Sequence, residues 1–160
     1  MILVTVGTQL PFDRLIKAVE RWAVANDYTN IMFQTGNSEY IPALGLVRKF
    51  IPAAELELLL YQAKLVVGHA GIGTIISCLS LRKPVVIMPR DFKLGEHRND
   101  HQKATVSRLR YLKGVFAADS EFELEAVIES ALQVAVSDVD TAFPKYAKET
   151  LVRHIRSRVL

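Results

Sequence analysis

The sequence predicts an open, doubly wound α/β sheet, mostly parallel, in a single domain over residues 1–160. Two observations predict it. Short apolar runs almost free of polar residues recur along the chain, the pattern of parallel strands covered on both faces. Longer segments with helical apolar spacing lie between them, and strand–helix alternation at that density builds a layered sheet with right-handed crossovers. With 50% hydrophobic and 23% charged residues, the chain has an ordinary globular balance and is long enough for one sizeable core.

Strands are expected at Ile2–Val6, Asn30–Thr35, Leu46–Ile51, Lys64–Gly68, Pro84–Met88 and Gly114–Ala117. Helices are expected at Pro11–Ala25, Ala54–Ala63, Gly73–Leu81, Asn99–Leu112, Glu121–Val136 and Pro144–Val159. In the first of these, Leu15, Ile16, Val19, Trp22 and Ala23 share one face, and Pro11 suits a first turn where its missing N–H costs nothing. The opening MILVTVG has no basic lead and no A-x-A-type cleavage site, so it reads as a strand and not as a signal peptide. No apolar run approaches the roughly 18–20 residues that span a bilayer. The single Cys78 excludes an internal disulfide, suits a reducing cytoplasm and, inside an apolar helix, reads as an inert core thiol.

The formal charge of +3 is unevenly spread. Arg82 to Lys113 holds nine basic and three acidic residues, Asp119 to Asp140 seven acids and no base, and Lys145 to Leu160 five bases and one acid. Such blocks read as solvated faces, or more sharply as an anion site in the first basic block and a partner or membrane-surface contact in the last. In the last block Ala147, Leu151, Ile155 and Val159 form an apolar stripe beside Lys148, Arg153 and Arg156, either packed on its own domain or docked on a partner. Nucleic acid is not expected as a partner, because no recognition module appears and aromatics do not interleave with the basic residues.

Ligands of doubly wound sheets sit beyond the carboxyl ends of the strands. Three loops stand out there: GTQLPFD, GHAGIGT and PRDFKLGEHRNDHQ. In VVGHAGIGTIIS, Gly71 and Gly73 permit a tight turn and close approach of a ligand to the main chain. The helix that follows offers unpaired N–H groups and a positive dipole end, which suits a diphosphate. His69 can donate to a phosphate oxygen and Thr74 adds a hydroxyl; the alternative is a tight turn with a capping Thr and a packed His. The motif is neither G-x-G-x-x-G nor a P-loop. GEHRNDHQ gathers His97, Arg98, Asn99, Asp100, His101 and Gln102, side chains that can hold a polyhydroxyl ligand such as a sugar. His97 and His101 have the spacing of two zinc ligands, yet no third ligand accompanies them, so no metal is expected. Arg90 and Arg98 can pair with a carboxylate or phosphate, or simply face solvent. Gly7 and Thr8 are a second anion contact or the cap of the first helix. Phe50 and Ile51 close an apolar strand end, ordinarily core. No serine sits in a nucleophile context.

VTVGTQLPFDRLI, KFIPAAELELLLYQAKLVVGHAGIGTII and RKPVVIMPR…EHRNDHQ together resemble the glycosyltransferase family 28 C-terminal domain. More closely they resemble its small stand-alone forms, the catalytic subunit of the dolichol-linked UDP-GlcNAc transferase and the bacterial exopolysaccharide subunits of the PssE/EpsF type. The resemblance implies a Rossmann-like half of a GT-B glycosyltransferase, the half that binds the nucleotide sugar. Phe50 and Ile51 would then meet the uracil. His69, Ala70, Gly71, Gly73 and Thr74 would line the diphosphate. His101 and Gln102 would reach the donor sugar, and Gly7 and Thr8 would face the cleft. Ser77 departs from the family, many members of which carry a Glu there to hold the ribose hydroxyls.

The expected function is transfer of a hexose or uronic acid from a UDP-sugar to a polyprenyl-diphosphate-linked acceptor in exopolysaccharide assembly. No cofactor is expected; UDP-glucuronate is a candidate donor, resting on Arg90 and Arg98. The acceptor and the general base would come from a membrane-anchored partner of the PssD type, placing the chain in the cytoplasm at the inner face of the membrane. His97 and His101 are the local candidates for that base by ionisation range alone. The competing expectation is a non-catalytic nucleotide-binding or regulatory subunit of the same complex, kept open by Ser77.

Overall fold

The computed structural model describes residues 1–139. Six parallel strands form one sheet: β1 (Ile2–Thr5), β2 (Ile31–Gln34), β3 (Leu46–Arg48), β4 (Leu65–His69), β5 (Val85–Met88) and β6 (Val115–Ala117). The helices between and after them are α1 (Asp13–Ala25), α2 (Ala53–Gln62), α3 (Ile72–Ser80), α4 (His101–Leu109) and α5 (Leu124–Leu132). The strand order is β3-β2-β1-β4-β5-β6, so the chain winds outward from β1 in one direction and then, from β4, in the other.

Alternation along the strands decides which face each residue serves. Ile2 and Val4 of β1 join Phe33, Leu65, Val67, Val86 and Met88 beneath α1 and α5. Leu3 joins Met32, Val66, Val85 and Ile87 beneath α2, α3 and α4. With apolar layers on both faces, β1, β2 and β5 are buried at every position. Edge strand β3 is not; its residues alternate exposed, half-buried, exposed.

Several elements are shorter than the apolar pattern predicts. β3 ends at Arg48 and not at Ile51. The Lys49 carbonyl still accepts from Gly36 N–H at 2.9 Å, but Pro52 then opens α2. α1 starts at Asp13, two residues after Pro11. The intervening Phe12 is held in a non-helical conformation (φ −145°, ψ 55°), its buried ring under the Arg90 guanidinium at 4.7 Å. α4 starts at His101 because Asn99 stands outside it and accepts the His101 N–H at 3.3 Å. α5 starts at Leu124 because the Glu123 carboxylate bends back to accept Asp119 N–H at 3.0 Å, making a turn of the predicted first residues. The predicted helix Pro144–Val159, with its apolar stripe, lies outside the described residues.

Glu20 of α1 has no apolar role yet is buried. Its carboxylate accepts the Ala43 and Leu44 N–H groups at 2.6 and 3.2 Å and the Tyr40 hydroxyl, fixing the segment that leads into β3. Glu20→Ala leaves two backbone donors unpaired and is expected to cost about 1–3 kcal/mol in urea unfolding, with Glu20→Gln costing less. An unchanged denaturation midpoint would show that this segment holds itself.

Candidate functional site

The reversal of winding between β1 and β4 opens a crevice at their carboxyl ends. A cavity of about 250 Å³ lies there, lined by Val6, Gly7, Thr8, Gln9 and Leu10 after β1, His69 and Gly71 at the end of β4, and Arg90, His97, His101 and Gln102 after β5. A larger cavity of about 510 Å³ sits at the opposite end of β6, between Leu112–Phe116 and Val134–Val139. Among the described residues its charged groups are Lys113 and Asp138, whereas the smaller cavity gathers three imidazoles and a guanidinium.

His69 decides the shape of this cavity. A Cβ on Gly71 would overlap its Nε2, and one on Gly7 would lie 2.9 Å from its Cε1. Both glycines therefore make room for the imidazole. Gly7 is needed a second time, for its φ of +77°. Gly73 is different: nothing lies within 4 Å of where its Cβ would be, so the first turn of α3 presents open main chain. The Ile72, Gly73 and Thr74 N–H groups are the unpaired donors of that turn, since Ile75 N–H is the first to bond back, to the Gly71 carbonyl at 3.2 Å. The His69 Nδ1 is buried and makes no hydrogen bond of good geometry, although the Thr5 carbonyl is near enough to raise its basicity a little. Burial, with a smaller contribution from Arg90, pushes the imidazole down to about 4.

Arg90 is buried at 3% exposure, and both terminal nitrogens of its guanidinium are engaged. It donates to the carbonyls of Val6 (2.6 Å), Leu10 (2.8 Å), Glu96 (3.3 Å) and Pro11, so it clasps the β1–α1 loop. Its own N–H donates to the Gln102 side-chain oxygen at 3.0 Å. Among the described residues no carboxylate forms an ion pair with it. Burial pushes it down to about 10, which leaves it charged at neutral pH. The following loop is pinned by Arg14 of α1, which takes Glu96 bidentately at 3.0 and 2.8 Å and Glu121 at 2.7 Å. These bonds, that to Glu96 first, raise the Arg14 pKa further.

Of the residues singled out in the sequence, Gly7, Thr8, His69, Gly71, Arg90, His97, His101 and Gln102 meet at the cavity. Ala70 is buried behind it. Gly73 and Thr74 are on the first turn of α3, where Gly73 is exposed and Thr74 half-buried. Phe50, 49% exposed, and Ile51, buried, stand between β3 and α2. Arg98 is exposed, and Asp100 is spent on Phe92 N–H and Lys103. Ser77 is exposed one turn along α3 from Gly73. Gln9 and Leu10 line the cavity without having drawn notice, and Arg14 and Glu96 hold its loop; no spacing rule marks a bidentate pair 82 positions apart. Cys78 is buried and its thiol is pushed up to about 12 by that burial. Among the described residues no group of three or more His, Cys, Asp or Glu is placed to hold a metal ion, and no helix is long and apolar enough to cross a membrane.

The model of the glycosyltransferase family 28 C-terminal domain matches residues 1–150. The chain belongs to that family. Solved glycosyltransferases share its fold. The kitacinnamycin glycotransferase superposes with a TM-score of 0.58 at 18% identity, covering 83% of this chain and 34% of its own. CalG4, the calicheamicin glycosyltransferase, gives 0.54 at 17%, covering 98% and 37%. The solution structure of ALG13 gives 0.57 at 18%, covering 96% and 93%. The chain thus spans little more than a third of the two antibiotic glycosyltransferases and nearly the whole of ALG13. At these identities the likeness is one of fold, a Rossmann-like half of a GT-B glycosyltransferase. No curated protein matches the chain by sequence.

Two outcomes follow from the His69 environment. Gly71→Ala, which has no free volume, is expected to destabilise by about 1–3 kcal/mol, whereas Gly73→Ala in open helix is neutral or gains up to about 1 kcal/mol; equal effects would mean the imidazole is not the constraint. Because His69 is held neutral to about pH 4 while an unfolded imidazole takes up its proton near pH 6.5, the unfolded state binds more protons in that window. Stability therefore falls as pH drops from about 6.5 to 4, by up to about 3 kcal/mol, and His69→Asn removes that part of the slope. Parallel pH–stability curves for the two proteins would refute the assignment.

Proposed function

We propose that this chain is the donor-binding subunit of a UDP-sugar-dependent glycosyltransferase. The observation that carries the reading is the crevice between β1 and β4, where the open first turn of α3 adjoins a cavity lined by a buried arginine that has no ion pair among the described residues. The Ile72, Gly73 and Thr74 amides and the α3 dipole suit the oxygens of a diphosphate. Arg90 acts at one remove, its buried charge attracting such a group without a direct hydrogen bond from the nitrogens already spent on carbonyls. The same donors stabilise UDP as it departs, the point at which negative charge develops.

The sugar extends toward His97, His101 and Gln102, and the uracil toward Phe50 and Ile51. The acceptor half is supplied by a second, membrane-anchored subunit of the PssD type, with a polyprenyl-diphosphate-linked saccharide as acceptor in exopolysaccharide assembly and the chain peripheral at the cytoplasmic face. The family's GT-B fold and the full-length overlap with ALG13 support a stand-alone half. A hexose and a uronic acid both fit this reading. With the Arg90 guanidinium spent on carbonyls, selection of a UDP-glucuronate carboxylate rests on exposed Arg98.

Calorimetry of the full chain with UDP, UDP-glucose and UDP-glucuronate tests the reading. UDP is expected to bind, and Gly73→Ala to lower its affinity about tenfold or more with no loss of stability, since a methyl there blocks only the ligand. No heat with any uridine nucleotide would sink the proposal, and equal affinity for the two sugars would remove the uronate preference.

A further inference from the structure

The loop that carries His97, Asn99 and His101 assigns a different tautomer to each histidine. His97 Nδ1 faces two main-chain donors, Arg98 N–H at 2.9 Å and Asn99 N–H at 3.4 Å. A nitrogen that accepts hydrogen bonds carries no proton, so in the neutral ring the proton sits on Nε2. Burial first, then the neighbouring His101, Arg90 and Arg98, hold this imidazole below its ordinary range, so the ring is neutral at physiological pH. His101 is arranged the other way. Its Nδ1 meets the Asn99 side-chain oxygen. That oxygen also accepts the His101 main-chain N–H at 3.3 Å, which fixes the orientation of the amide. Nδ1 of His101 must then be the donor, and its Nε2 holds the lone pair. The two rings meet edge-on with centroids 4.5 Å apart, and both line the cavity.

We propose that the 97–101 loop presents one obligate donor, His97 Nε2–H, beside one obligate acceptor, His101 Nε2, and that the pair takes a sugar hydroxyl of the donor, with Asn99 as the positioning residue that sets the acceptor. A hydroxyl gives one hydrogen bond and receives others, so it matches a mixed pair; a carboxylate only receives and would leave the His101 lone pair facing its charge. The pair therefore reads a hydroxyl, which hexoses and uronic acids share, and not the group that distinguishes them. This rests on the nucleotide-sugar reading above. It also separates the two histidines: His97 is unable to act as a base through Nε2, because that nitrogen already holds a proton.

Long-range nitrogen–proton correlation spectra of the free full-length chain at pH 8 read the tautomers directly. The expected result is an Nε2–H signature for His97 and an Nδ1–H signature for His101. Asn99→Ala should return His101 to the Nε2–H form usual for free imidazole, while Asn99→Asp, which keeps an acceptor in place, should retain Nδ1–H. An Nε2–H signature for His101 in the wild-type chain overturns the proposal. In binding, whichever of UDP-glucose and UDP-glucuronate exceeds UDP should lose that excess, up to about tenfold, in Asn99→Ala and in His97→Phe with affinity for UDP kept. A wild-type chain that binds UDP but gains nothing from either sugar overturns the hydroxyl assignment alone. One that binds no uridine nucleotide overturns it together with the nucleotide reading.

Discussion

The constraint on which the site depends is the volume of the His69 imidazole at the place where β1 and β4 part. The ring fills the end of β4, and the loops after β1 and β4 each pass it with a residue that has no side chain. Remove that ring and Gly7 loses one of its two reasons and Gly71 its only evident one. Keep it and the β1–α1 loop is forced to run close beside the first turn of α3. The small cavity at the ends of these strands is bordered by that main chain and by the imidazole. Gly36 extends the same crowding one strand further out, since a Cβ there would come within 2.5 Å of the Gly7 carbonyl.

Electrostatics finishes what volume begins. Removing a guanidinium from water is costly, and an isolated buried one would deprotonate or unfold the segment around it. Arg90 avoids both by collecting carbonyl oxygens in place of a carboxylate. Carbonyls satisfy its hydrogens but do not cancel its charge. The result is a buried charge beside the cavity that has no ion pair among the described residues, with Glu96 the carboxylate that acts on it. Arg14 does the opposite one layer further out. Its two carboxylates more than balance its charge, and its role is mechanical: it fastens the loop carrying His97 to α1. Two arginines 76 positions apart in sequence thus divide field from framework within the same corner of the fold.

The strands were readable because burial on both faces leaves an apolar signature that no turn or helix shares, and Ile2, Val4, Val85 and Val86 carry it plainly. Helix starts were less readable. Periodicity locates a face but not the residue at which side chains such as Asn99 or Glu123 divert the main chain. The glycine-rich turn after β4 was visible as a ligand candidate, yet the reason for Gly71 was not, because the atom it avoids belongs to His69 of its own motif. Arg90 was visible as a cation for a carboxylate, a phosphate or solvent, while its bonds to main-chain carbonyls were not. The identity of its partners, main-chain oxygens some eighty residues upstream, leaves no mark on composition or spacing. What a linear reading recovers is the chemistry a residue can perform. What it misses is whether the fold has already used it.

That distinction bears on why a half-molecule can be a stable unit. The groups that a ligand would neutralise here are few: three amides at the start of α3, the polar edges of two histidines and a charge already solvated by carbonyls. Each is tolerable without a ligand, because solvent or main chain can satisfy it. Transfer differs from binding in what it demands. Water must be kept from the departing diphosphate, and a wall on one side of an open crevice does not exclude it. Under the function proposed above, the open crevice holds the nucleotide sugar and a second subunit closes over it. The tautomer pair fits that division, since a lone pair and a proton set in advance can recognise a hydroxyl before any partner arrives, whereas a base for the acceptor would be useful only afterwards.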